Sequence, residues 1–316
     1  MCGIIIYKGE KGINLDTIFN IASENKHRGS TDGFGIVMKE KEDSDLDTYR
    51  STLHIAEVLD RKADRKKKEE AKIASELLKE LRSEKIDNKT YNFIAFHHRM
   101  KSYGDVSEKN VHPFEVEDAL YMHNGSVNCD TLKNFLSCFG KAEFKSETDT
   151  EVIATLVEKY FQKSPTEQKG FGICKFMTKV FPDWGVLVRI DKSGNVHIFK
   201  DESRELYLVT KGKETYIISE PITQFGQVDL CKRLKSGHFG LIDGKFEFFG
   251  GLLSNLTKEF NEFTALKIFN NGYCDCCHVN KPTIKNGLID MCFDCYLRKE
   301  SPYLSLTFNE FSCWTE

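Results

Sequence analysis

A cysteine directly follows the initiator methionine and precedes a strand-like apolar run that begins at Gly3. Methionine aminopeptidases tend to remove Met1 ahead of a small second side chain, so we expect Cys2 to become the amino terminus. A terminal cysteine carries a thiol and an α-amine on one residue. The amine has an ordinary pKa of about 8, so part of it is neutral at cellular pH and can accept the thiol proton. Cys2 is therefore a candidate nucleophile with its own base, although a small buried strand residue is the alternative.

A second chemical pattern lies near the C-terminus. It consists of two Cys-x2-Cys pairs separated by fourteen residues: Cys274, Cys277, Cys292 and Cys295. Four thiolates at this spacing are typical of a closed, tetrahedral zinc site with a structural role. An iron centre or a redox pair is the alternative, and Cys276 and His278 could replace a ligand. We predict a structural zinc ion in this segment.

The bulk composition narrows the class of protein. The 316 residues are 40% hydrophobic and 29% charged, and the net charge is −3. The chain has no excess of basic residues, so its charge does not indicate general binding to nucleic acids. The apolar runs are only strand-sized and the first residues lack the pattern of a signal peptide, so we expect a cytoplasmic protein without a membrane span. In a reducing compartment the eleven cysteines are thiols or metal ligands rather than disulfides.

The elements that must position these residues are mixed along the chain. Strand-like runs such as residues 91–98 and 119–124 alternate irregularly with helical patterns, which favours an α+β layered fold. Residues 53–89 instead predict a charged helical insertion, either a solvated face or a partner or nucleic-acid contact. We expect one domain over residues 2–250, followed by a small zinc-binding C-terminal module over residues 260–316.

One predicted helix, over residues 149–162, begins at a carboxylate. Its apolar positions, including Val152, Ile153 and Leu156, share one face, which predicts a helix with a buried side. Thr148 and Glu151 fit a capping box, so Asp149 is at the least a helix-start carboxylate.

Five short motifs lie in a definite order along the chain: MCGI at 1–4, HRG at 27–29, HHRMKSYG at 97–104, HNGSV at 123–127 and SETDTEVIATL at 146–156. Together, over about residues 2–225, they resemble the glutaminase domain of the class II glutamine amidotransferases, a group of N-terminal-nucleophile (Ntn) hydrolases. The resemblance implies a four-layer αββα sandwich with two antiparallel sheets. It also implies hydrolysis of L-glutamine to L-glutamate and ammonia.

The resemblance assigns catalytic roles to three residues. Cys2 is expected to be the nucleophile, and the Asn124 side-chain amide and Gly125 backbone N–H are expected to stabilise the oxyanion. Read locally, HNG is a tight turn with positive φ at Gly125.

The resemblance also implies a substrate pocket. Arg99 is expected to bind the α-carboxylate of glutamine, and Asp149 its α-ammonium. Ser102, Arg28 and His112 are expected to support the pocket.

Two positions depart from the pattern of the resemblance. Met100 and Tyr103 stand where the pattern has Trp and His, while Ser102 keeps a hydroxyl in place of Thr. Because of these departures, the resemblance does not specify the residues of the pocket wall or the coupling to a second active site. An Ntn hydrolase of another amide is therefore an alternative.

The sequence after the resembling region has no visible synthase domain. About ninety residues remain, and they contain no Ser-Gly-Gly-x-Asp-Ser nucleotide loop. We therefore expect the ammonia to be delivered to a separate synthase subunit. The alternative from another class is a catalytically inactive adaptor that binds through its zinc module.

Overall fold

The computed structural model describes residues 2–24, 32–40, 45–52, 90–102, 104–136, 143–161, 173–174, 177–178, 181, 183–220 and 225–250, with residues 284–285 and 290–291. The predicted insertion at 53–89, Arg28, Tyr103 and the four predicted zinc ligands lie outside these ranges. Predictions about them stay predictions.

The described elements follow one another along the chain as strands with three α-helices among them. In order they are β1 (Gly3–Ile13), α1 (Leu15–Glu24), β2 (Phe34–Glu40), β3 (Asp47–Ser51), β4 (Tyr91–His98), β5 (Phe114–Val116), β6 (Ala119–Asn124), α2 (Cys129–Leu136), α3 (Asp149–Phe161), β7 (Val186–Asp191), β8 (Val196–Lys200), β9 (Tyr207–Lys211), β10 (Glu214–Ile218), β11 (Leu230–Arg233), β12 (Gly237–Ile242), β13 (Lys245–Gly250), β14 (Ile284–Lys285) and β15 (Asp290–Met291). The strands predicted at 91–98 and 119–124 are confirmed, as is the helix that begins at Asp149.

The strands form two large sheets and one small hairpin. The first sheet has the order β11-β9-β10-β1-β4-β2-β3, and the second has the order β13-β12-β8-β7-β6-β5. Neighbouring strands in both sheets pair antiparallel. Strands β14 and β15 pair only with each other. The sheets therefore follow the antiparallel arrangement that the resemblance implies.

Two apolar cores separate the layers. The core between the sheets takes side chains from both of them, among them Ile4, Ile6, Val37, Val188, Ile198 and Phe239. Helix α1 covers the other face of the first sheet with Ile18, Phe19 and Ala22. Helix α3 packs on β5 and β6, and α2 packs on α3. The described residues thus form the predicted helix–sheet–sheet–helix layering.

Strand β1 is buried on both faces. Ile4 and Ile6 point into the core between the sheets, whereas Ile5 and Tyr7 pack under α1. This explains why the run after Cys2 is continuously apolar instead of alternating with polar residues. The Ile4 amide donates a 2.9 Å hydrogen bond to the Ser219 hydroxyl, which fixes the beginning of the strand.

A buried ion pair fastens α3 to the second sheet. The Glu158 carboxylate accepts hydrogen bonds from Arg189 Nε at 2.7 Å and from the Tyr121 hydroxyl at 2.5 Å. Tyr121 and Arg189 alternate along their strands with the inward-facing Met122 and Val188, so they lie on the outer face of the sheet. Helix α3 therefore covers that outer face, with Asp149 at its first residue.

The start of α3 differs from the predicted capping box. The Glu151 carboxylate accepts hydrogen bonds from the backbone amides of Lys145 and Ser146 at 2.9 and 2.6 Å. The Thr148 amide instead donates to the Ser146 hydroxyl at 3.3 Å. The reciprocal Thr148–Glu151 box is therefore wrong, because Glu151 reaches further back and ties down the loop ahead of the helix.

Within the described residues, no helix is both long enough and apolar enough to cross a lipid bilayer.

The buried ion pair gives a stability prediction. Replacing Glu158 with Gln leaves the Arg189 guanidinium buried, with side-chain exposures of 8% and 9% for the pair, and without its counter-charge. We expect the free energy of unfolding, measured by urea titration, to fall by about 3–5 kcal/mol. The matched control is Glu10→Gln, since the Lys213–Glu10 pair is 71% and 68% exposed and should contribute little. Equal effects of the two substitutions would contradict this interpretation.

Candidate active site

Strand pairing brings the candidate nucleophile and the candidate carboxylate-binding residue together. Strand β1 pairs with β4 so that Gly3 lies opposite His98. Cys2 precedes β1 and Arg99 follows β4, and the antiparallel register therefore places them at the same sheet edge. The Arg99 amide donates to the Gly33 carbonyl at 2.8 Å, which holds this edge to the residue ahead of β2.

The Cys2 thiol lies half-buried against the backbone of Met100. The Met100 amide donates to Cys2 Sγ at 3.2 Å, and the thiol donates to the Met100 carbonyl at 3.5 Å. Burial raises the pKa of the Cys2 thiol, while the hydrogen bond with Met100 and the Arg99 charge oppose that rise. Deprotonation of this thiol therefore needs a nearby base.

The Asn124–Gly125 turn ends β6 and is shaped by close backbone contact. A Cβ on Gly125 would lie 1.8 Å from the Trp184 carbonyl oxygen, so only glycine fits. The predicted positive φ at Gly125 is wrong, because the glycine with positive φ at this contact is Gly185, at +98°. The Asn124 Nδ2 is buried and has no hydrogen-bond partner among the described residues. Asn124 thus holds an unused donor beside the turn.

Asp149 lies buried at the start of α3. One carboxylate oxygen accepts the Val127 amide at 2.8 Å. The other oxygen lies 3.7 Å from His123 Nδ1 and 3.5 Å from the Thr150 hydroxyl. The helix start and the segment after the HNG turn therefore hold the carboxylate in one orientation.

Three buried histidines lie behind these residues. His97 Nε2 donates to the His123 carbonyl at 2.9 Å, which links the two sheets, and the His97 and His112 ring centroids are 3.8 Å apart. His112 Nε2 is hydrogen-bonded to the Thr150 hydroxyl at 2.9 Å. Burial lowers the pKa of His97 to about 3 and holds the pKa of His112 well below its usual range. Both rings are neutral near pH 7.

Most predicted site residues meet in one cleft. It is lined by the predicted residues Cys2, Arg99, Ser102, His112, Gly125 and Asp149, and also by Met100, His123, Thr148 and Thr150. Asn124 lies buried next to the lining residue Gly125. No site role was predicted for His123 or Thr150, although each lies within one of the five motifs. Nothing in the sequence distinguishes these two residues from their neighbours in the motifs, and only their contacts in the folded structure do.

The buried histidines predict sensitivity to acid. Because the pKa of His97 falls from its ordinary value of 6.5 to about 3 on folding, only the unfolded chain binds its proton between these pH values. Stability is then undiminished above pH 6.5 and decreases as pH falls, by up to about 1.4 kcal/mol per pH unit for each such histidine. His97→Gln should reduce this slope in urea titrations between pH 7 and 4.5, since glutamine does not titrate. An unchanged slope would contradict the prediction.

Curated relatives match parts of the chain. The glutamine–fructose-6-phosphate aminotransferase of Rhizobium meliloti is 45% identical over 65 residues, 20% of this chain and 11% of the relative. The enzyme of the same description from Helicobacter pylori is 34% identical over 141 residues, 43% of this chain and 23% of the relative. The matches thus span about a tenth to a quarter of the relatives' length. No protein-family profile matches the chain.

Solved structures match the fold over more of its length. The glutamine phosphoribosylpyrophosphate amidotransferase of B. subtilis has a TM-score of 0.52 at 19% identity, covering 79% of this chain and 49% of that one. A structure described as the allosteric regulatory enzyme of purine biosynthesis has a TM-score of 0.50 at 20% identity, with the same coverage. At these identities the likeness is one of fold. With the sequence relatives, it confirms the predicted resemblance of this chain to the class II glutamine amidotransferases.

Proposed function

We propose that this chain hydrolyses L-glutamine to L-glutamate and ammonia, with Cys2 as its amino-terminal nucleophile. The observation that supports the proposal is the cleft, whose lining includes the Cys2 thiol, the buried Arg99 guanidinium and the buried Asp149 carboxylate. A free amino acid presents the complementary pair of charges, and glutamine adds an amide at the end of its side chain. The two curated relatives and the B. subtilis enzyme carry glutamine in their names, which supports the same choice here.

Arg99 and Asp149 bind the amino-acid head group in this proposal. The Arg99 guanidinium can hold the α-carboxylate through two hydrogen bonds, and Asp149 accepts from the α-ammonium. Burial lowers the pKa of Arg99, and a bound carboxylate would counteract that effect. Ser102 lies on the cleft wall and supplies a hydroxyl. Fixing both charged ends directs the side-chain amide toward Cys2.

The reaction itself requires Cys2 to be the first residue. After loss of Met1, its α-amine accepts the thiol proton while sulfur attacks the amide carbon. The Met100 amide, 3.2 Å from Sγ, stabilises the developing thiolate. Collapse of the tetrahedral intermediate transfers the proton to the leaving nitrogen and gives ammonia and a thioester. Water then hydrolyses the thioester to glutamate and restores the thiol.

The Asn124–Gly125 turn serves the oxyanion in this proposal. The Asn124 amide is buried without a partner among the described residues, so it costs little to direct it at a new acceptor. Each preorganised donor of this kind can contribute about 3 kcal/mol to the transition state.

The ammonia acceptor is proposed to be a synthase on a separate subunit. The named relatives are aminotransferases and amidotransferases much longer than the region matched, which supports a coupled acceptor. A synthase whose glutamine-dependent product disappears with Cys2→Ala, but whose ammonia-dependent product does not, would be that acceptor.

The C-terminal segment is proposed to bind one structural zinc ion. Four cysteines form a donor set that closes a tetrahedral site, and strands β14 and β15, which lie between the two pairs in the sequence, pair antiparallel. Antiparallel pairing at this place is consistent with both cysteine pairs binding one ion, since the two pairs must then lie close together. Bound zinc would contribute folding free energy to this segment.

Cys2→Ala is the direct test of the nucleophile. Ammonia release from glutamine should fall to background, and 6-diazo-5-oxo-norleucine should add one label to the wild-type protein but none to the variant. Cys231→Ala is the control, because Cys231 is a free, exposed cysteine. Intact mass should show that Met1 is absent. Retained glutaminase activity in Cys2→Ala would contradict the proposal, and faster release from asparagine or a short amide would favour the alternative amide hydrolase.

Zinc content tests the C-terminal site separately. Metal analysis should give one zinc per chain, and Cys292→Ser should lower it, because a thiolate ligand is lost. Cys313→Ser, outside the two pairs, should leave it unchanged. A chain without zinc, or one containing iron, would contradict the site.

A further inference from the structure

The contact behind the Asn124–Gly125 turn involves two backbones rather than side chains. A Cβ on Gly185 would lie 2.1 Å from the Asn124 carbonyl oxygen and 2.8 Å from the Gly125 Cα. The Trp184 carbonyl accepts His123 Nε2–H at 2.7 Å, immediately ahead of the same turn. The location of the Asn124–Gly125 turn therefore depends on where the Trp184–Gly185 segment is held.

One buried carboxylate holds Gly185 in place. The Gly185 amide donates to Asp201 Oδ2 at 2.8 Å, and the Asp201 amide donates back to the Gly185 carbonyl at 2.9 Å. Asp201 Oδ1 accepts both the backbone amide and the hydroxyl of Ser203, at 2.7 and 2.6 Å. The carboxylate thus cannot turn away from Gly185 without losing the two bonds to Ser203.

The main chain of Asp201 is held as well. Lys200 is fully buried, and its ammonium donates to the Asp201 carbonyl at 2.5 Å. Val186 lies opposite Lys200 in the β7–β8 ladder, so Gly185 and Asp201 continue this ladder by one step. The Asp201 carboxylate is costly to move, because the Gly185 amide would be left buried and unpaired.

We propose that Asp201 is a positioning residue for the oxyanion turn, which it holds through Gly185. The proposal rests on the proposed glutaminase function. Asp201 does not line the cleft, and its effect on the reaction passes through the backbone contact between Gly185 and the Asn124–Gly125 turn. A displacement of the Asn124 side-chain amide and the Gly125 N–H weakens their hydrogen bonds to the oxyanion. The oxyanion develops only in the transition state, so the loss affects the rate rather than substrate binding.

Asp201→Asn is the test, performed on the full-length protein. Asparagine keeps the shape of the side chain but replaces one carboxylate oxygen with an NH2 group. This group is a donor and would face a backbone or hydroxyl donor that now has no acceptor. We expect kcat for glutamine hydrolysis to fall by about tenfold or more, with KM nearly unchanged. The rate at which iodoacetamide alkylates Cys2 should stay at the wild-type value, because alkylation forms no oxyanion. A merely structural loss of active protein would lower both rates together.

A second carboxylate, at the opposite end of the paired strands β7 and β8, provides the matched control. Asp191 lies at the other end of β7 and accepts the Asn195 amide at 2.8 Å and its side chain at 3.2 Å. Asp191→Asn makes the same chemical change in a similar turn, and its kcat should equal that of the wild type. An unchanged kcat in Asp201→Asn, an equal loss in both variants, or a parallel loss of alkylation would overturn the proposal.

Amide hydrogen exchange separates this proposal from the proposed function. The peptide that spans residues 122–126 should exchange faster in Asp201→Asn than in the wild type, and not in Asp191→Asn. An inactive wild type would refute the glutaminase function, and unchanged exchange would refute the role of Asp201. Should Asp201→Asn fail to fold, Ser203→Ala removes one donor to the same carboxylate and should accelerate exchange of that peptide; unchanged exchange would again overturn the proposal.

Discussion

The antiparallel pairing of β1 with β4 is the constraint on which the site depends. It places the start of one central strand beside the end of its neighbour, and with them Cys2 beside Arg99. Because β1 is buried on both faces and its Ile4 amide is bonded to Ser219, the residue ahead of the strand has little freedom. A one-residue slip would exchange the two apolar faces of the strand, so the packing of both cores holds the register. The proposed nucleophile, Cys2, is therefore fixed by the same burial that stabilises the fold.

Burial also sets the electrostatics of the cleft. Arg99 and Asp149 are withdrawn from water, and His97 and His112 stay neutral because burial lowers the pKa of each. A neutral His112 can line the cleft without competing for the carboxylate of the proposed substrate. In this surrounding the two charged side chains act on a ligand more strongly than they would in water. The cost is a thiol whose pKa is raised, which is why the proposed mechanism needs the α-amine of Cys2.

Single elements of this fold were predictable from the sequence, whereas their pairing was not. The strand over residues 91–98 follows from its apolar and aromatic content, but β1 pairs with β10 across more than two hundred residues, and no local pattern specifies that. The motif resemblance supplied the candidate site residues, while the proposed role of Asp201 depends on partners visible only in three dimensions. The β12–β13 hairpin was missed although Asp243 and Gly244 form its turn, both with positive φ, as this dipeptide favours.

The central claim is that sulfur of an amino-terminal Cys2 forms a thioester with the γ-carboxyl group of glutamine. Rapid acid quenching during turnover, followed by proteolysis and mass spectrometry, measures this intermediate directly. The account predicts one γ-glutamyl group, removable by hydroxylamine, on the peptide that begins with Cys2. Glutamine consumption with no such adduct, or an adduct on a different residue, would contradict it.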